Sequence, residues 1–264
     1  MWNQVRVSEC GRFHLLEDRP LYAVRYTQVL KYHEPGLAPA HDDSGAFHID
    51  VHGNPAYHKR FVQTFGFYQG LAAVKDADGF FHIDPSGQAA YSQRYRWCGN
   101  FQEGFCVVQE QNTSYHHINL QGERCYTQCY PYAGDFKEGY SVACDSASGL
   151  HTHINPQGKT LHGQWFLDLD VFHKGFARAK DEQGYFHINK KGEALYKQRY
   201  TQVEPFYNGV ARVEREGALM TLNTHGEVMT PYRSKPNLSS GSVSADLVGF
   251  WRTETLATAT ELQV

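Results

Sequence analysis

The chain has 264 residues, 41% of them hydrophobic and 20% charged, with a formal net charge of −3. This supports a folded core, excludes a disordered chain and argues against generic affinity for nucleic acid or an anionic membrane. No apolar run approaches the roughly 18 residues of a membrane-spanning helix, and the first residues lack a secretory leader pattern, so a cytoplasmic location is expected. Twenty-four glycines with 17 tyrosines and 16 phenylalanines point to strands and tight turns, hence an all-β fold.

A short pattern recurs along the chain. Phe13-His14-Leu15, Phe47-His48-Ile49-Asp50, Phe81-His82-Ile83-Asp84, His116-His117-Ile118-Asn119, Thr152-His153-Ile154-Asn155 and Phe186-His187-Ile188-Asn189 are six copies, and Met220-Thr221-Leu222-Asn223 is a degenerate seventh. Successive histidines lie 34, 34, 35, 36 and 34 residues apart. The seven units fill residues 1–233. In the third, Leu71-Ala72-Ala73-Val74 reads as a strand, Asp76-Ala77-Asp78-Gly79 as a turn, and Phe80-Phe81-His82-Ile83 as a second strand. Asp84-Pro85-Ser86-Gly87 is a second turn and Ala90 to Tyr95 a third strand.

The second turn has a mechanism. Asp50, Asp84, Asn119, Asn155, Asn189 and Asn223 stand at its first position, with glycine three residues later each time. An Asx side chain accepts hydrogen bonds from the turn backbone, and glycine takes the positive φ. One Asx per turn offers too few oxygens for a calcium loop. A second recurrent glycine precedes the next strand, as in Gly104 and Gly175, with Phe67, Phe101, Phe136, Phe172 or Phe206 three residues before it in most units.

Gln102-Glu103-Gly104-Phe105-Cys106-Val107-Val108 and Asn189-Lys190-Lys191-Gly192-Glu193-Ala194 carry a resemblance to the WG-repeat family. The Trp-Gly pair itself is absent, replaced by Phe-Phe-His or Tyr-Phe-His. The resemblance implies tandem β-repeats and an interaction role, with no shared catalytic residues. A repeat that cannot cover its own apolar faces must stack on its neighbours. The sequence shows no distinct cap before the first unit, so a seven-bladed β-propeller is expected in preference to an open β-solenoid.

The row His14, His48, His82, His117, His153 and His187 could ligate a metal or sense a small ligand. Six positions in six units cannot converge on one ion, so each is expected to be a buried structural histidine bonded to an equivalent backbone group, with no metal or cofactor implied. Arg25, Arg60, Arg94 and Arg199 precede an aromatic in the third strand, and Arg233 stands alone in the last unit. They could hold an anion, or each could stack on an aromatic or pair with a turn Asp. Units four and five break the rule with Cys129-Tyr130 and Trp165-Phe166. A binding face is expected where repeats diverge, and Trp97, Trp165, Asp168, Asp170, His151, His162 and His173 occupy non-consensus positions there. Six cysteines recur at no common position, and reduced thiols are expected. Cys125 and Cys129 would share one face of a strand.

Residues 234–245 read as a linker and 246–264 as an amphipathic helix capped by Asp246, with Leu247, Val248, Phe250, Trp251, Leu256 and Leu262 as its apolar positions. Leu247 to Ala259 resembles the opening helix of the dimerisation region in class I O-methyltransferases. That resemblance implies dimerisation through this helix, or a front end that regulates or presents substrate to an S-adenosylmethionine-dependent methyltransferase. The repeats themselves hold no catalytic motif. The expected function is recognition of a protein or peptide partner through one face, at Trp97, Trp165, Asp168, Asp170, Arg25, Arg60, Arg94 and Arg199, with no nucleic-acid or membrane partner.

Overall fold

The computed structural model describes residues 2–231. Apart from a 3-10 turn at Trp2–Gln4, its regular structure is all β: seven antiparallel sheets, six of three strands and one of four. One sheet corresponds to each repeat, and the sheets are numbered here in chain order. Arg233, the linker at 234–245 and the helix at 246–264 fall outside the described residues.

Sheet 3 shows the unit. The two expected strands form at Leu71–Lys75 and Phe80–Ile83, paired from Ala72 with Ile83 to Lys75 with Phe80. A strand that the sequence reading did not separate, Gln63–Tyr68, flanks the first of them. The expected third strand, Ala90 to Tyr95, is not regular. It touches its neighbour at two isolated bridges, Ile83 with Ala89 and Phe80 with Tyr95. Between them Tyr91 turns inward, so the backbone leaves the ladder. The same two-bridge segment recurs in sheets 2, 4, 5 and 6. Four antiparallel segments per repeat, repeated in series, give a β-propeller type of architecture.

The Asx turns form as read. Asp84 Oδ1 accepts from the backbone N–H of Ser86 and Gln88 at 2.9 and 3.0 Å. Asp50, Asn119, Asn155, Asn189 and Asn223 make the same pair of bonds. The glycine serves a second purpose that the turn alone does not reveal. Gly122 has φ of 77°, and a Cβ built on it would lie 2.3 Å from Cγ of Tyr91 in the preceding unit. Local torsion and close approach of the next sheet thus both select glycine there.

Buried side chains of successive sheets meet in joints. The histidine row lies at their centre. Each histidine is fully or almost fully buried. Nε2 of His14, His48, His82, His117, His153 and His187 sits 2.7–3.0 Å from a carbonyl oxygen of the following unit, at Leu30, Phe65, Gly99, Gly134, Asp170 and Glu204. A carbonyl only accepts, so Nε2 carries the proton and Nδ1 accepts. The Nδ1 partner is a tyrosine hydroxyl at 2.5–2.6 Å in five units: Tyr22, Tyr57, Tyr91, Tyr126 and Tyr196. In the fifth unit His162 replaces tyrosine, 3.1 Å away. His162 Nδ1 accepts from the Gln164 backbone, which leaves its Nε2–H to donate to His153.

The next unit's aromatic completes the joint. Phe67, Phe101, Phe136, Phe172 and Phe206 lie with ring centroids 4.0–4.6 Å from the preceding histidine. Burial drives His48, His82, His117, His153 and His187 down to about 4, so they are neutral at ordinary pH. A second tie runs through the Glu-Gly turns. Glu103 accepts from the backbone N–H groups of both Glu138 and Gly139 at 2.7 Å, and Glu138 accepts from Gly175 at 2.9 Å. Gln69 reaches Gly104 N–H in the same way.

Candidate functional site

The four expected arginines are occupied within their own units. Arg25, Arg60, Arg94 and Arg199 lie over Phe13, Phe47, Phe81 and Phe186 at 3.9, 3.8, 3.4 and 3.6 Å from the ring centroid. Nη1 of each also donates to backbone carbonyls just before it, as Arg94 does to Ser92 and Gln93. Nε of Arg94 pairs with Asp76 at 2.9 Å and Nε of Arg199 with Asp181 at 2.7 Å, while Arg60 bonds Ser44. In Arg60, Arg94 and Arg199 the guanidinium therefore fastens the irregular segment to its own hairpin turn.

The break in the fourth unit is compensated. Arg124 enters from the other end of the segment and donates to the carbonyls of Thr127 and Gln128 and to Cys129 Sγ. In the fifth, Thr152 stands where phenylalanine stood, and its hydroxyl bonds the Gln164 carbonyl at 2.8 Å. Trp165, released from that duty, is 40% exposed. His162 is the structural partner of His153 described above. All six cysteines are free thiols. Cys125 and Cys129 lie in the irregular segment and not on a regular strand, because the ladder is interrupted there as in sheet 3.

Trp97 and Asp168 belong to rows of cross-strand neighbours beside the hairpin turns. The rows read Trp97, Gln109, Tyr115 in sheet 4, Tyr132, Cys144, His151 in sheet 5 and Asp168, Lys180, Tyr185 in sheet 6. Rings meet along and between them: Trp97 with Tyr115 at 6.5 Å, Tyr115 with Tyr132 at 6.3 Å, and Tyr132 with His151 at 6.3 Å. The result is a continuous, part-exposed aromatic strip over sheets 4 and 5.

A charged group adjoins it. Arg178 pairs with Asp170 at 2.8 Å and with Asp168 at 3.3 Å, and lies 4.9 Å from the Tyr185 ring centroid. Burial raises the Asp170 carboxyl, with Arg178 opposing that shift. Asp135 is pushed up to about 6 by burial. Burial and the neighbouring Asp135 and Asp170 raise the Tyr132 phenol. Nδ1 of His151 is buried without a hydrogen-bond partner.

Sequence reading placed Trp97, Asp168 and Asp170 in this region and missed Tyr115, Tyr132, Asp135 and Arg178. The available signal was positional: Arg178 stands opposite His187 where Ala73, Val107 and Val142 stand opposite their histidines. Among the described residues no three His, Cys, Asp or Glu side chains group as a metal site. No helix of the described residues is long and apolar enough to cross a membrane.

The model of a WG containing repeat matches residues 187–217, the span from the sixth histidine through the following Gly-Val strand. Over that span the repeat is similar to the WG type. In this chain Glu103-Gly104 and Glu138-Gly139 are turns whose glutamate side chains tie one unit to the next. No curated protein matches the sequence. Among solved structures, BamB from Moraxella catarrhalis is similar with 14% identity over 91% of this chain and 85% of that one, at a TM-score of 0.47. A structure described as the eukaryotic initiation factor gives 11% identity over 84% and 67%, with a TM-score of 0.49. The WD40 β-propeller domain of Doa1 gives 12% over 82% and 88%, with a TM-score of 0.37. At these identities and scores the likeness carries no function across.

Proposed function

We propose that the chain is a non-catalytic interaction module that binds a protein or peptide partner on the hairpin-turn side of units four to six. The supporting observation is the aromatic strip from Trp97 to His151 with the adjoining Asp168, Asp170 and Arg178. These side chains take no part in the joints that build the frame, and they depart from the repeat where frame residues keep it. Aromatic rings beside charged groups are the composition of interface hot spots. Trp165 extends the surface. Arg94 in unit three and Arg199 in unit six hold their own hairpin turns in neighbouring units. The seven sheets form a closed ring in this reading, which fixes the strip on a rigid support.

The test is capture of partners on immobilised protein. Replacing Trp97 and Trp165 together with serine removes the partners bound by the parent chain. Reversing the charge of Lys159 and Lys191 at the Asx turns leaves them bound. An unchanged bound set in the tryptophan variant contradicts the proposal.

A further inference from the structure

The residue whose carbonyl accepts from the preceding unit's histidine varies from sheet to sheet. It is Phe65 in sheet 3, Gly99 in sheet 4, Gly134 in sheet 5, and acidic Asp170 and Glu204 in sheets 6 and 7. Gly99 and Gly134 do not have the positive φ that would demand glycine, so space decides. A Cβ on Gly99 would lie 3.2 Å from the rim of the Trp97 indole and 3.4 Å from Asp135 Oδ1. One on Gly134 would lie 3.2 Å from the Tyr132 hydroxyl. The missing side chains let an indole, a phenol and a carboxylate close in on the backbone beside one another.

The carboxylate is the unusual member. Asp168 and Asp170 share Arg178. Asp135 has no ion-pair partner among the described residues, and Gln102 Nε2 bonds its Oδ2 at 3.0 Å. Its partly desolvated charge thus stands uncompensated beside Trp97 and Tyr132. The three rings Trp97, Tyr115 and Tyr132 are inclined to one another by 67° and 58° and are not stacked face to face. Aromatic faces with an unpaired carboxylate are the chemistry that recognises an organic cation.

We infer that this part-exposed cluster receives the ammonium group of a lysine side chain from a basic segment of a protein partner. This rests on the interaction-module reading and specifies its ligand. Lysine fits better than arginine. Gln102 already holds Oδ2, so one carboxylate oxygen is left, which suits a point charge and not a bidentate fork. The orphaned Nδ1 of His151, beside Tyr132, is a further unmatched polar atom at the edge of the site.

The experiment follows the Trp97 indole N–H by NMR in the full chain, assigned by its loss in Trp97→Phe, while a capped Gly-Gly-Lys-Gly-Gly peptide is added. The signal shifts to saturation with the lysine peptide, and the same peptide with acetyl-lysine leaves it in place. Asp135→Asn and Tyr132→Leu each weaken binding about tenfold at an unchanged melting temperature. No saturable shift with lysine, equal binding of acetyl-lysine, or parent-like affinity in Asp135→Asn overturns the assignment. If lysine fails while partner capture still depends on Trp97, the ammonium assignment falls and the module reading stands.

Discussion

The joints between sheets and the strip on the hairpin-turn side use the same residue types for opposite ends. In a joint, histidine and tyrosine are buried and each polar atom has a partner in almost every unit. On the strip, Trp97, Tyr115 and His151 are half-buried and Tyr132 is exposed, and His151 Nδ1 lies buried without a partner. Satisfied polar groups in a low-dielectric interior fix one geometry, whereas rings and charges that reach the surface are free to recognise something else. The chain repeats the first arrangement six times and departs from the repeat to make the second.

Acid should give the largest effect. A histidine takes its proton near pH 6.5 in the unfolded chain and near 4 in these joints. Between those values the unfolded chain holds more protons, so stability is complete above about 6.5 and is lost as pH falls toward 4. At pH 4 each joint histidine loses about 3 kcal/mol, and five together reach the whole stability of an ordinary domain. Circular dichroism should show cooperative unfolding before pH 4. A fold intact at pH 4 would contradict neutral joints.

A single joint comes next. His187→Leu strips the partners from the Glu204 carbonyl and the Tyr196 hydroxyl and removes the ring over Phe206. It should cost about 3 kcal/mol in a urea melt. The glycines separate torsion from contact. Gly104 and Gly122 both have positive φ, 86° and 77°, yet a Cβ meets nothing within 4 Å at Gly104 and Tyr91 at Gly122. Gly104→Ala should cost about 1 kcal/mol and Gly122→Ala about 3 kcal/mol. Equal costs would show that Tyr91 yields freely. Trp97→Ala should move stability least, by less than about 1 kcal/mol, in the same melt.

Much of the frame is legible in the sequence, because its chemistry is local and periodic. Asp84 with Gly87 specifies a turn in four residues, and a histidine every 34 to 36 residues serves the unit before it serves any site. Other features depend on contacts that no window of sequence contains. Ala90 to Tyr95 carries the composition of a strand, but Tyr91 is drawn inward to His82 and breaks the ladder. The loss of arginine at Cys129 looks like divergence until Arg124 is seen covering the same carbonyls. Asp135 is an ordinary acidic residue in the sequence. Its burial arises from sheets meeting across Gly99, which periodicity cannot show.

The division between frame and strip is tested most directly by comparing partner capture by Trp97→Ala and Tyr91→Phe at a temperature where both remain folded. Trp97→Ala should lose the partner, and Tyr91→Phe, weakened only in its joint, should keep it. Capture retained by Trp97→Ala and lost by Tyr91→Phe would place recognition in the frame and contradict the account.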